Sequence, residues 1–128
     1  MSSADLAFHL SVKDLPDGDA CVLQIKDAFL NYASSDELKT NLKEICRERI
    51  LRGVRGFALD LSRVTVMDSC GLSVLISLKK LVESEGARLS LFGLSPMIQR
   101  LFEITKLENV FAICADESTA LAGFASAA

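Results

Sequence analysis

Apolar residues fall along the chain in two kinds of block, short dense runs and stripes at helical spacing, and the two kinds alternate. Residues 7–13 (AFHLSVK) alternate in part between apolar and polar positions, and residues 20–25 (ACVLQI) are richer in apolar and β-branched side chains. Pro16-Asp17-Gly18 between them is turn chemistry, so the pair predicts an opening β-hairpin. Ser34 offers an N-cap with Glu37 three positions on, a capping box. Leu38, Leu42, Ile45, Cys46 and Ile50 then follow at helical spacing, predicting a helix that ends near Arg52, before Gly53. Residues 56–61 (GFALDL) form a nearly continuous apolar run, the pattern of a strand covered on both faces.

From Ser69 to Glu85, Val74, Leu75, Leu78, Leu81 and Val82 make one helical stripe, and Gly86 is placed to end it. Residues 88–92 (RLSLF) predict a fourth strand. Ser95-Pro96 is a cap followed by proline at the first helical position, with Ile98, Leu101, Phe102 and Thr105 continuing at helical spacing. Residues 109–114 (NVFAIC) predict a fifth strand, and Asp116 caps a last helix carrying Ala120, Leu121 and Phe124 before the small-residue tail. The order β-β-α-β-α-β-α-β-α predicts an α/β fold: a mixed sheet of about five strands with about four helices packed on it. Residues 1–128 read as a single domain with its core over about 7–125.

Composition narrows the function. Half of the 128 residues are apolar, 24% are charged and two are proline, which describes a globular domain and not a disordered chain. A net charge of −3 with dispersed Lys and Arg gives no footprint for nucleic acid. No apolar run approaches the roughly 20 residues that cross a bilayer, and MSSADLAFHL lacks the layout of a signal peptide, so no direct membrane insertion and a cytoplasmic location are expected. Cys21, Cys46, Cys70 and Cys114 are more than twenty residues apart, without the spacing of a zinc site. Neither a metal nor a cofactor is expected.

The chemistry concentrates at Asp68-Ser69-Cys70-Gly71-Leu72, between the run GFALDL and the long helix. As a nucleophile Ser69 needs an adjacent base, and nothing in the sequence brings the single histidine, His9 of the opening strand, near it, so the chain does not read as an enzyme. As a structural group, Asp68 or Ser69 caps the helix. As a modified group, Ser69 is a hydroxyl positioned at an accessible helix start, where a phosphate's oxygens would face free N–H groups. Leu72 and Ile76 fall outside the main stripe on a shared face; they mark either a wide buried arc or an apolar docking patch beside Ser69.

The stretch LDLSRVTVMDSCGLSVLISLKKLVESEGARLSLFGLSPMIQRLFEITKLENVF resembles the STAS domain of bacterial anti-sigma factor antagonists. That pattern is an apolar strand ending in Asp-Leu-Ser, then Asp-Ser-Ser/Thr-Gly-Leu, then Gly-x-x-Leu-x-Leu and a Leu-Phe helix. The resemblance covers roughly residues 7–125. It implies a small β-sheet with helices packed on it, and a non-enzymatic switch in transcription regulation. The unphosphorylated form would bind a GHKL-type serine kinase that is also an anti-sigma factor, the kinase would phosphorylate it, and a phosphatase would reset it by partner switching.

Carried over by position, the resemblance makes Ser69 the phosphoacceptor, with Asp68 the motif aspartate and Gly71 the glycine that lets a partner approach the helix start. Cys70 departs from the pattern, where a second Ser or Thr is usual. So does the loop Ala28-Phe29-Leu30-Asn31, where the family commonly reads Gly-Glu-Leu-Asp; Asp27 and Asp36 flank it. Asp68, Cys70, Gly71, Leu72, Ile76, Phe29 and Asn31 are the expected partner-binding residues. The diverged loop keeps a second reading open, an accessory or scaffold STAS subunit of a sensory assembly or of a lipid or anion transporter, not necessarily phosphorylated.

Overall fold

The computed structural model describes the backbone of residues 10–125 and the side chains within that span, except those of residues 32–34 and 125. His9 and the first residues of the expected hairpin lie outside the described residues. In chain order the elements are β1 (Leu10–Asp14), β2 (Ala20–Ile25), β3 (Phe29–Leu30), α1 (Tyr32–Leu51), β4 (Gly56–Asp60) and β5 (Val66–Met67). They continue with α2 (Ser69–Ser84), β6 (Arg88–Phe92), α3 (Pro96–Ile104), β7 (Ala112–Cys114) and α4 (Glu117–Ala125).

The main sheet has the order β1-β2-β4-β6-β7. β1 and β2 form the expected antiparallel hairpin, Leu10 opposite Ile25 and Asp14 opposite Cys21. From β2 onward each neighbour is parallel, because each strand is reached by a helical crossover. The expected mixed α/β architecture of five strands and four helices is thus present.

Strand alternation divides the core. Cys21, Leu23, Ile25, Phe57, Leu59, Leu89 and Leu91 point to one face, into a cluster with Leu38, Leu42 and Ile45 of α1 and Leu75, Leu78 and Val82 of α2. Val22, Ala58 and Phe92 point to the other, where Ala120 of α4 joins them. Gly56 through Leu59 are all buried, as expected of a strand covered on both sides.

Three features differ from the pattern-based expectation. β3 and β5 form a separate parallel two-stranded ladder in what reads as loop, and strands of two residues are too short to show a period. α1 starts at Tyr32, before Ser34, because the Ser35 N–H reaches the Asn31 carbonyl at 2.9 Å and closes the first turn there. Asn31, itself a good cap type, takes the position expected of Ser34. β7 begins only at Ala112, since the Val110 and Phe111 N–H groups fold back onto the Leu107 carbonyl at 3.0 and 3.2 Å.

Candidate functional site

The short ladder builds the site. The Ala28 carbonyl accepts from the Thr65 N–H (2.8 Å), the Thr65 hydroxyl (3.1 Å) and the Val66 N–H (3.2 Å), and the Leu30 carbonyl accepts from the Asp68 N–H at 3.0 Å. These bonds tie the segment before α1 to the segment before α2. The start of α2 is thereby held from outside its own helix.

Asp68 is the cap. Its backbone is extended (φ −105°, ψ −171°), and its Oδ1 accepts from the N–H groups of Cys70 at 2.9 Å and Gly71 at 3.1 Å. The Leu72 N–H goes to the Asp68 carbonyl at 3.1 Å. Ser69 is therefore the first helical residue, exposed, and its hydroxyl has no hydrogen-bond partner among the described residues. The expectation that a phosphate on Ser69 would meet free N–H groups is narrowed by this geometry. The amides of Cys70, Gly71 and Leu72 are already taken by Asp68, which leaves the N–H of Ser69 itself without a partner among the described residues.

Gly71 is buried, and a Cβ there would lie 2.6 Å from Met67 Cγ and 2.8 Å from the Leu30 carbonyl oxygen. The close approach that requires glycine is thus internal, between the helix start and the ladder, and not room left for a partner at the surface. Leu72 is only 8% exposed and belongs to the core, so of the two readings of this face the wide buried arc holds and Leu72 is no docking residue. Ile76 is half-buried and packs on the same core.

Phe29, by contrast, is 57% exposed and lies directly opposite Val66, itself 44% exposed, in the ladder. The pattern of the sequence did not single out Val66; only its pairing with Phe29 makes it part of an exposed apolar patch beside Ser69's helix. Met97, also exposed, stands in the first turn of α3, the helix that packs against β5. Asn31 is half-buried and engaged, Asp27 likewise, and Asp36 is exposed one turn into α1.

The Asp-Leu-Ser end of β4 has its own local reason. Asp60 Oδ1 accepts the Ser62 N–H at 2.8 Å and Oδ2 accepts from Gln24 Nε2 at 3.0 Å, turning the chain out of the sheet. Gly93, at φ +75°, passes close above it, where a Cβ would come within 3.0 Å of Asp60 Oδ1. Burial pushes the Cys21 and Cys46 thiols up to about 12, which keeps them protonated and unreactive. Among the described residues no cluster of three or more His, Cys, Asp or Glu could hold a metal, and no helix is long and apolar enough to cross a membrane.

The model of the family described as STAS domain matches residues 13–120, which takes in the sheet from the end of β1 onward and the Asp68–Gly71 site. The chain belongs to the STAS domain family. Among known proteins, an anti-sigma-B factor antagonist of Listeria monocytogenes is 44% identical over 55 residues, 43% of this STAS domain's chain and 48% of that protein. The match therefore spans about half the length of that relative. An anti-sigma-B factor antagonist of Staphylococcus aureus is 32% identical over 89 residues, 66% of this chain and 82% of that protein. Among solved structures, the anti-sigma factor antagonist SpoIIAA in its unphosphorylated form superposes with a TM-score of 0.61 at 13% identity, over 86% of this chain and 91% of that one. The phosphorylated form of SpoIIAA, the Bacillus cell fate determinant, gives 0.60 at 14%, over 86% and 95%. At that identity the likeness shows the fold.

Proposed function

We propose that this STAS domain is an anti-sigma factor antagonist, a binding module switched by phosphorylation of Ser69. In its unphosphorylated form it engages a GHKL-type serine kinase that doubles as the anti-sigma factor; phosphate on Ser69 ends the complex, and a phosphatase restores it. The observation that carries this reading is the exposed, uncommitted hydroxyl of Ser69 at the first position of α2, directly after the carboxylate that caps the helix. The two curated relatives support the role, and SpoIIAA, a protein of the same fold, is known in both phosphorylated and unphosphorylated forms.

The cap explains how such a switch works electrostatically. A phosphate adds about −1.5 to −2 charges at neutral pH. With the Cys70 and Gly71 amides held by Asp68, those donors do not neutralise that charge, and it stays directed outward, beside a second carboxylate. An acidic group on the partner opposite Ser69 is then repelled, with no rearrangement of this fold needed. Asp68, Cys70 and the exposed pair Phe29 and Val66 form the proposed contact surface, Ile76 lying at its half-buried margin.

Incubation with the cognate kinase and ATP should label the wild type and leave Ser69→Ala unlabelled. Ser69→Asp should weaken the complex about tenfold or more through its added charge. Labelling that persists in Ser69→Ala overturns the assignment. The exposed Phe29, standing where the family commonly carries a carboxylate, favours a second reading in which the same surface serves a scaffold and Ser69 stays unmodified; a native complex unchanged by kinase and ATP would decide for it.

A further inference from the structure

The sheet has two poles. The carboxyl ends of its parallel strands lead to Ser69; the amino ends, where Ala20, Gly56 and Arg88 begin β2, β4 and β6, surround a cavity of about 450 Å³. That volume lies within the range of small-molecule sites. Its floor is apolar. Phe124 of α4 lies flat on Gly56, so close that a Cβ on Gly56 would fall 2.6 Å from the ring, and Leu121 lies beside it; both are half-exposed toward the opening.

The walls are charged. Arg55 donates from Nη1 to the carbonyls of Ile50 (3.4 Å) and Val54 (3.2 Å), which fixes its guanidinium and leaves the Nε–Nη2 edge without a partner among the described residues. Arg88 makes no side-chain hydrogen bond or ion pair among them either, although Asp17 and Asp19 line the same cavity. Two arginines and an aromatic ring line the same cavity, and a guanidinium suits the planar, bidentate geometry of a carboxylate. The two aspartates balance the arginines' charge, so net charge selects no anion, and the apolar floor, which a phosphate has no body to cover, makes the selection.

We infer that this cavity is a binding site for a small monocarboxylate with an apolar body, the acid held by Arg55 and Arg88 and the body lying on Phe124 and Leu121. The site is remote from Ser69 and independent of the switch proposed for it. Hydrocinnamate is a suitable probe, with phenethylammonium and inorganic phosphate as comparators, each titrated at millimolar concentration into isotope-labelled protein. Hydrocinnamate should move the amide resonances of Gly56 and Gly86, which line the cavity, and the comparators should not. The double variant Arg55→Gln/Arg88→Gln, with an otherwise native spectrum, should bind it about tenfold or more weakly. No movement with hydrocinnamate, equal movement with phosphate or phenethylammonium, or undiminished binding in the double variant overturns the inference.

Discussion

The two faces of the sheet are built to different strengths. The face under α1 and α2 buries large side chains throughout, with Phe57, Leu59, Leu75 and Leu78 within about 1% of complete burial. The apolar cluster under α4 is small, Val22, Ala58, Phe92 and Ala120, flanked by the polar pair Gln24–Asp60. Half-exposed Leu121 and Phe124 complete it, and a surface ion pair of 2.6 Å from Lys13 to Glu117 ties α4 to β1. Ser69 stands on the stronger side. Its helix is anchored by the larger core, so the hydroxyl is offered on a rigid support, whereas α4 rests on the smaller cluster and should open at lower cost than α2.

The largest effect tests this contrast directly. Leu75→Ala empties a fully buried site between α2 and the sheet and should cost about 2–5 kcal/mol, the usual range for such a truncation. Leu121→Ala, on the half-exposed side of α4, should cost about 1 kcal/mol, since much of that side chain already faces water. Chemical denaturation of both variants measures the difference. Equal losses would mean that the two faces contribute alike and that α4 is no weaker than α2.

What the chain's pattern made legible follows the same divide between dense and sparse packing. β6 spans the residues its apolar run marks, Ser95 caps α3 through the Ile98 N–H at 3.3 Å, and Asp116 accepts from the Thr119 N–H at 2.9 Å at the start of α4. In these places local preference and burial agree. The site was legible as a motif: Asp68-Ser69 at a helix start marks the cap and the hydroxyl before any coordinate does. The division of labour between the two residues was not, because both types cap helices and only the bonds to Cys70 and Gly71 distinguish them.

Illegible features depend on partners distant in sequence. β3 and β5 exist because Ala28 and Leu30 carbonyls meet residues 65, 66 and 68, and no two-residue strand announces that. Gly71 is glycine because of Leu30, forty-one positions away, so a reading along the helix alone assigns its absent side chain to the surface. Ser34 and Glu37 make a sound capping box, yet Asn31 closes the turn first, where the ladder delivers the chain. Leu72 and Phe29 are apolar residues of opposite fate, one buried and one exposed, and their local contexts do not separate them.

Even the stronger face holds one flaw. Asn41 of α1 is 1% exposed, and neither its Nδ2 nor its Oδ1 has a hydrogen-bond partner among the described residues. A buried amide left unpaired costs about 1–3 kcal/mol, whereas an apolar group of similar size there costs nothing in hydrogen bonding. Asn41→Leu should therefore raise stability by about 1 kcal/mol in the same denaturation experiment. A loss instead would mean that the amide is satisfied in solution, as by a buried water, and that this face has no flaw to repair.

The smallest effect concerns the edge where the stronger face begins. Arg49 of α1 donates to Asp14 at the end of β1 from Nε (2.7 Å) and Nη2 (3.2 Å), a two-pronged contact between helix and hairpin. The hydrogen bonds from Arg49, and its charge, hold the Asp14 carboxyl below its ordinary 3.8. A carboxyl depressed in the folded state contributes stability that is fully present above its unfolded value and is lost as pH falls through the folded one. The contact lies at the surface, so its contribution is below about 1 kcal/mol. Asp14→Asn should thus be slightly less stable than the wild type at neutral pH, and the gap should close on acidification below pH 3.8. A gap that stays constant down through that range would show that the substituted amide is disfavoured for its shape, and that the charge on Asp14 does not fasten α1 to the hairpin.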